Sequence, residues 1–357
     1  MDKINPILDA DLKYIISADL PWGRFHNKTI LVTGASGFLP AYMVETLLYL
    51  NEVRAISCKV IGLVRNLQKA KRRFRRYLER SDLVFILGDV SVKQIWSERF
   101  DYIIHAASQA SPKYYGVDPV GTMSANLLGT IHLLNYAKDT GCDGFLFFSS
   151  GDVYGIPKNI PTKESDYGYI EINDVRSCYG ESKRAAETLG VSYAKQYRVP
   201  FIAVRPSHTY GPGMALDDGR VFADFIRDVL QEKELLLHSD GTAIRTFCYL
   251  SDAIIGCFTI LFKGAIGFAY NLGNPNGVLS IGELAEILSN LGMDKKLGVK
   301  LLGKKPEGYI TSPVSIVIPN VDLLNSLGWF PKIGPGEGFA RTLEYFRWEI
   351  DHKLLSL

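Results

Sequence analysis

"ILVTGASGFLP", residues 30–40, passes from a β-branched apolar run straight into Gly34-Ala35-Ser36-Gly37. Continuous apolar character of that kind suits a strand buried on both faces. The segment beyond the glycines has helix length, so the stretch opens a βαβ unit. Gly34 and Gly37 allow a tight turn and let backbone N–H groups at a helix N-terminus approach a pyrophosphate. A Gly-x-x-Gly pair alone is a weak signal; directly after a first strand it marks a dinucleotide site. A third glycine is usual where Pro40 stands. Proline is tolerated in a first helical turn, because its missing N–H would lack a partner there anyway, and the helix is expected to begin near Ala41.

Working outward, the same rhythm recurs. "KTILVTG" (28–34), "CKVIGLV" (58–64), "DLVFILGDV" (82–90), "FDYIIHAA" (100–107), "GFLFFSS" (144–150) and "PFIAVRP" (200–206) alternate with helix-length gaps. This pattern predicts an α/β fold with a Rossmann-type, doubly wound parallel sheet. From about residue 209 the order loosens. "YGPGMALDDGR" reads as a loop, 220–232 and 281–292 as helices, "AIGFAYNLGN" as a short strand, and "RTLEYFRWEIDHKL" as a helix. The expected organisation is a helical leader (1–27), a dinucleotide-binding domain (28–208) and a smaller mixed α/β substrate domain (209–357), with some chain crossing between the last two. No repeat or low-complexity tract interrupts it.

Bulk properties narrow the class. The 357 residues are 47% hydrophobic and carry a formal net charge of +2, which points to neither nucleic acid nor a membrane surface. Five scattered cysteines lack metal-ligand spacing and read as reduced thiols of a cytoplasmic protein, with no metal site. There is no signal-peptide pattern at the N-terminus and no apolar run of membrane-spanning length. The basic stretch "KAKRRFRRYLERSD" (69–82) reads as a solvated helix anchored by Phe74, Tyr77 and Leu78.

The second strand ends at Arg65-Asn66, where NAD-selective sites usually carry an acid. An arginine there either holds a 2′-phosphate, pointing to NADP, or stacks on adenine and faces solvent. Asp89 and the run His105–Ser108 fall where the next two strands end, the ligand-binding edge of such a sheet. "YGESK" sets Tyr179 one helical turn before Lys183. That spacing fits a solvated face. It also fits an acid–base pair in which the cation lowers the phenol's pKa.

Together with "HAAS" (105–108), "NLLGT" (126–130), "SSGDVYG" (149–155), "RPSHTYGPG" (205–213) and "RTFCYLSDA" (245–253), these residues resemble the extended short-chain dehydrogenase/reductase family of nucleotide-sugar enzymes. The likeness spans roughly 28–345, and 176–253 is most similar to UDP-glucuronate decarboxylases. The resemblance implies Tyr179, Lys183, Ser150 and Asp152 as catalytic residues. For a bound NAD, with NADP left open by Arg65, it implies Gly34, Ser36, Gly37, Phe38, Leu39, Arg65, Asp89, Val90, Ala106, Ala107, Ser108, Asn126, Tyr179, Lys183 and Pro206. For the nucleotide sugar it implies Ser108, Ser150, His208, Arg220, Val221 and Arg245. His208 stands where relatives place Asn.

By the same resemblance the enzyme oxidises the sugar at C4, then epimerises or decarboxylates it and returns the hydride. The position after Ser150 is Gly151, which supplies no proton for the 4,6-dehydratase elimination. Decarboxylases carry Ser-Glu where this chain has Gly151-Asp152. An NADPH-dependent reductase or, disfavoured by Gly151, a 4,6-dehydratase of a nucleotide sugar is the alternative enzyme, and a non-catalytic dinucleotide sensor the alternative outside catalysis. A homodimer through helices near 119–140 and 176–198 is the expected assembly.

Overall fold

The computed structural model describes residues 4–293, 295–302 and 314–355; residues 1–3 of the expected leader lie outside the described residues. Helix α1 (Pro6–Ser17) is capped by Asn5, whose side chain accepts from Ile7 N. The chain then alternates: β1 (Thr29–Thr33), α2 (Phe38–Arg54), β2 (Lys59–Val64), α3 (Leu67–Arg73), β3 (Leu83–Leu87), β4 (Tyr102–His105), α4 (Pro119–Thr140), β5 (Gly144–Phe148), α5 (Ser177–Tyr197) and β6 (Phe201–Pro206). It continues through β7 (His208–Tyr210), α6 (Val221–Leu230), β8 (Leu235–Leu237), β9 (Ile244–Tyr249), α7 (Leu250–Lys263) and β10 (Ala269–Leu272). The last elements are β11 (Val278–Ser280), α8 (Ile281–Ser289), β12 (Val299–Leu301), α9 (Asp322–Asn325) and α10 (Pro335–Asp351).

Seven strands pair in the order β10-β6-β5-β4-β1-β2-β3, and every pairing in that sheet is parallel. The order reverses between β1 and β4, which opens a crevice at the C-terminal strand ends. Alternate side chains of β1 serve the two faces. Ile30 and Val32 join one apolar core with α1, α2 and α7, while Leu31 joins the other with α4 and α5. The predicted doubly wound sheet is therefore present. The strand predicted in "AIGFAYNLGN" supplies its seventh member, pairing with β6. Beyond β6, β11-β9-β7 and β12-β8 form two small sheets.

Helix α2 starts at Phe38, with Gly37 as its N-cap, three residues earlier than predicted. Pro40 thus sits third in the helix, still among the N–H groups that have no intrahelical partner. Helix α1 is more than a leader. Its Asp11 is fully buried, pairs with Arg341 of α10 at 2.6 Å, and accepts from Tyr42 and Tyr249.

The basic stretch 69–82 also departs from its reading. Phe74 and Tyr77 are anchors, but Leu78 is 46% exposed. Arg73 pairs with the buried Glu45 at 3.0 Å, Arg80 with Glu52 at 2.6 Å, and Arg75 with Glu349 at 3.4 Å. With Arg76, 3.5 Å from Glu52, four arginines of the stretch bind it to α2 and α10. Among the described residues no helix is long and apolar enough to cross a membrane.

Candidate active site

A cleft of about 1160 Å³ runs along the C-terminal edge of the sheet and on toward β8 and the segment 314–319. Every candidate residue lines it except Asn126. That side chain is fully buried and donates to Ser182 Oγ at 2.9 Å. It braces α4 against α5 and does not reach the cleft.

The glycine turn is built from the pairing of β1 and β2. Gly34 N donates to Leu63 O at 2.9 Å, and Gly34 has φ of 66°. A Cβ on Gly34 would lie 2.9 Å from Ala107 Cα, so only glycine lets this turn pass so close to the loop after β4. Ser36, Gly37, Phe38 and Leu39 then line the cleft at the start of α2. Arg65, just beyond β2, is exposed and sits 3.9 Å from Asp89 Oδ2, while Asp89 Oδ1 accepts from Ser91 N and Oγ.

At the other end, α5 presents Tyr179 and Lys183 on one face, against Ser150 at the end of β5. Both side chains are buried. Lys183 Nζ donates to Phe148 O at 2.6 Å and lies 4.7 Å from the Phe147 ring centroid and 5.7 Å from that of Tyr179. Tyr115 stacks on Tyr179, with centroids 5.2 Å apart and planes 17° apart. This aromatic partner was not foreseen; its signal was the "KYYG" run in the loop after β4. Asp152 is exposed and lines the cleft, on a 3₁₀ turn capped by Ser150, whose Oγ accepts from Asp152 N.

The protonation states differ from the sequence expectation. Burial, and next the carboxylate of Asp152, push the Tyr179 phenol up; a hydrogen bond with Ser150 and the charge of Arg220 oppose them. Burial also drives Lys183 down to about 7, with Glu187 resisting. Desolvation penalises both ions, and the groups that oppose it at the phenol are Ser150 and Arg220, not the lysine.

The substrate candidates converge near β7 and α6. His208 is held neutral by burial, with Arg245 and Arg220 adding to the downward shift to about 3. Arg220 donates to Ala110 O at 2.8 Å and pairs with Asp218 at 3.1 Å. Arg245 donates to Ser315 O and Val314 O, both at 2.9 Å, so it also shapes the cleft wall. Ser108 Oγ and His208 Nδ1 line the cleft buried and without a protein partner. Buried polar atoms are normally paired, so these two suit a polar ligand, and the glycine turn suits a pyrophosphate. Among the described residues, no group of three or more His, Cys, Asp or Glu side chains could hold a metal ion.

Residues 30–273 match the family model described as the NAD dependent epimerase/dehydratase family. UDP-glucuronic acid decarboxylase 6 of Arabidopsis thaliana is 35% identical over 324 residues, covering 90% of this chain and 89% of its own. UDP-glucuronic acid decarboxylase 1 of Xenopus tropicalis is 32% identical over 330 residues, covering 92% and 74%. Among solved structures, the UDP-glucose 4-epimerase of Thermotoga maritima with UDP-glucose is 25% identical, with a TM-score of 0.75 over 90% of this chain and 99% of that one.

Proposed function

Because this chain belongs to the NAD dependent epimerase/dehydratase family, we propose that it oxidises C4 of a nucleotide sugar, then decarboxylates or epimerises the sugar and re-reduces it. The observation that carries this reading is the meeting of Tyr179, Lys183 and Ser150 in one cleft with the open carboxylate of Asp152. A nicotinamide dinucleotide held along Gly34–Leu39 and Ala106–Ser108 would supply reversible hydride acceptance. Tyr179 Oη takes the proton of the C4 hydroxyl, and Ser150 Oγ donates to the same oxygen as charge develops there. Burial holds the phenol protonated, and the positive charge that an oxidised nicotinamide would bring, beside that of Lys183, would favour the phenolate.

With a hexuronate as substrate, the C4 ketone is a β-keto acid. The C5–C6 bond breaks, CO₂ leaves, and its electron pair forms an enolate whose oxygen Tyr179 and Ser150 stabilise. A proton from solvent, relayed to C5 by Asp152 on that side of the cleft, takes the place of the lost carboxylate before the hydride is returned. The decarboxylase relatives favour this outcome. The second reading, 4-epimerisation, is favoured by Gly151-Asp152 standing in place of Ser-Glu. NMR of products from UDP-glucuronate and from neutral UDP-hexoses separates them. CO₂ and a UDP-pentose are expected; a stereoisomer of unchanged mass supports epimerisation, and no turnover of either class overturns both.

The assembly we propose is a homodimer through α4 and α5. Val120 and Leu128 of α4 and Val191 of α5 are exposed apolar residues on these helices, at 74%, 47% and 45%. Light scattering should return twice the 39.8 kDa chain mass, and Leu128→Glu should lower it.

A further inference from the structure

We propose that Ser36, Arg65, Asn66 and Lys69 form a subsite for a 2′-phosphate, so that the dinucleotide this protein prefers is NADP rather than the NAD of its family's description. The inference rests on reading the cleft as a dinucleotide site. All four residues line the cleft at the end of β2. Their placement follows from the sheet. The Gly34 N–H bond to Leu63 O ties the glycine turn beside β2, so Ser36 and Arg65 leave neighbouring strands at the same edge. In a βαβ unit this edge receives the adenine ribose.

Asn66 caps α3, its Oδ1 accepting from Lys69 N at 2.8 Å. The cap fixes Lys69 in the first turn, four residues after Arg65, so a guanidinium and an ammonium reach the same edge. An NAD site needs the reverse, a carboxylate free to accept from both ribose hydroxyls. The carboxylate lining this end is Asp89, and its Oδ1 already accepts two hydrogen bonds from Ser91 while Oδ2 faces Arg65 at 3.9 Å. Arg65 also acts on Asp118 and Lys69 on Asp217, but neither of those carboxylates lines the cleft; the two cations do, beside the one committed carboxylate of Asp89, and favour a dianion there. Arg65 and Lys69 are exposed, so the attraction is screened by salt.

The test is calorimetric titration of the full-length protein, freed of bound nucleotide, with NADP⁺ and with NAD⁺. NADP⁺ should bind at least tenfold tighter at low ionic strength, with the ratio shrinking as salt is added. In the Arg65→Ala, Lys69→Ala double variant the two affinities should converge, and Arg65→Asp should invert the preference. NAD⁺ binding as tightly as NADP⁺, or a ratio that both variants leave unchanged, overturns the subsite and leaves the proposed reaction standing. Binding of neither dinucleotide overturns the subsite and the proposed function together.

Discussion

Lys183 and Arg65 line the same cleft, yet one ammonium is buried against the Phe147 ring while the other cation stands mostly in solvent. Water accounts for the difference. At the sugar end desolvation shifts both Tyr179 and Lys183 away from their charged forms; near neutral pH the phenol is protonated folded or unfolded, so the stability cost falls on Lys183. At the ribose end the cations remain hydrated. They cost the fold little, and their value depends on what binds.

Removing the phenol is the sharpest way to test the buried end. Tyr179→Phe keeps the ring stacked on Tyr115 and deletes the proton acceptor. It should lower kcat by about 10³-fold or more, within the usual span of general acid–base catalysis, with near-unchanged substrate affinity by calorimetry. Retained turnover would place the base elsewhere.

Lys183→Met should also abolish turnover while raising thermal stability at pH 7. A lysine whose pKa falls from 10.5 to about 7 on folding carries a full penalty on the order of 5 kcal/mol at 1.36 kcal/mol per unit. The orphaned Phe148 carbonyl takes back roughly 1–3 kcal/mol of that. The sign follows from linkage. The folded state prefers the neutral amine, so the penalty is full below pH 7 and fades as pH rises toward 10.5. The melting-temperature advantage of the variant should therefore be largest near pH 7 and shrink by pH 10; a constant advantage would break the contrast.

Ser150→Ala should be milder. It removes one donor to the C4 oxygen and the cap on the 3₁₀ turn, and should reduce kcat about 10²-fold by the measure of a single oxyanion donor. The smallest effect belongs to the exposed end. Arg65→Ala should change unfolding free energy by no more than about 0.5 kcal/mol, as for most surface substitutions. A larger loss would mean that its approach to Asp89 holds the fold.

Much of this was legible in the chain because it is local. The six strands from β1 to β6, the glycine turn and the Tyr179–Lys183 spacing depend on neighbours in sequence, and side-chain periodicity reports them directly. Asn126 shows the boundary. Its position in "NLLGT" was legible, but its partner, Ser182, lies 56 residues away. Likewise the arginines of 69–82 read as solvent-facing because Glu45, Glu52 and Glu349 are not in that stretch.

By itself, then, the sequence determined the order of strands and helices, the turn that can admit a pyrophosphate, and the chemical identity of the groups at each strand end. Only the tertiary structure decided that β10 returns to complete the sheet, that Tyr115 covers Tyr179, and that Asp11 of α1 joins Arg341 across 330 residues. It also decided the protonation of Tyr179 and Lys183. Side-chain identity fixes the charge a group can carry; what packs around it fixes whether keeping that charge is affordable, and desolvation belongs to the packed molecule, not to any stretch of its chain.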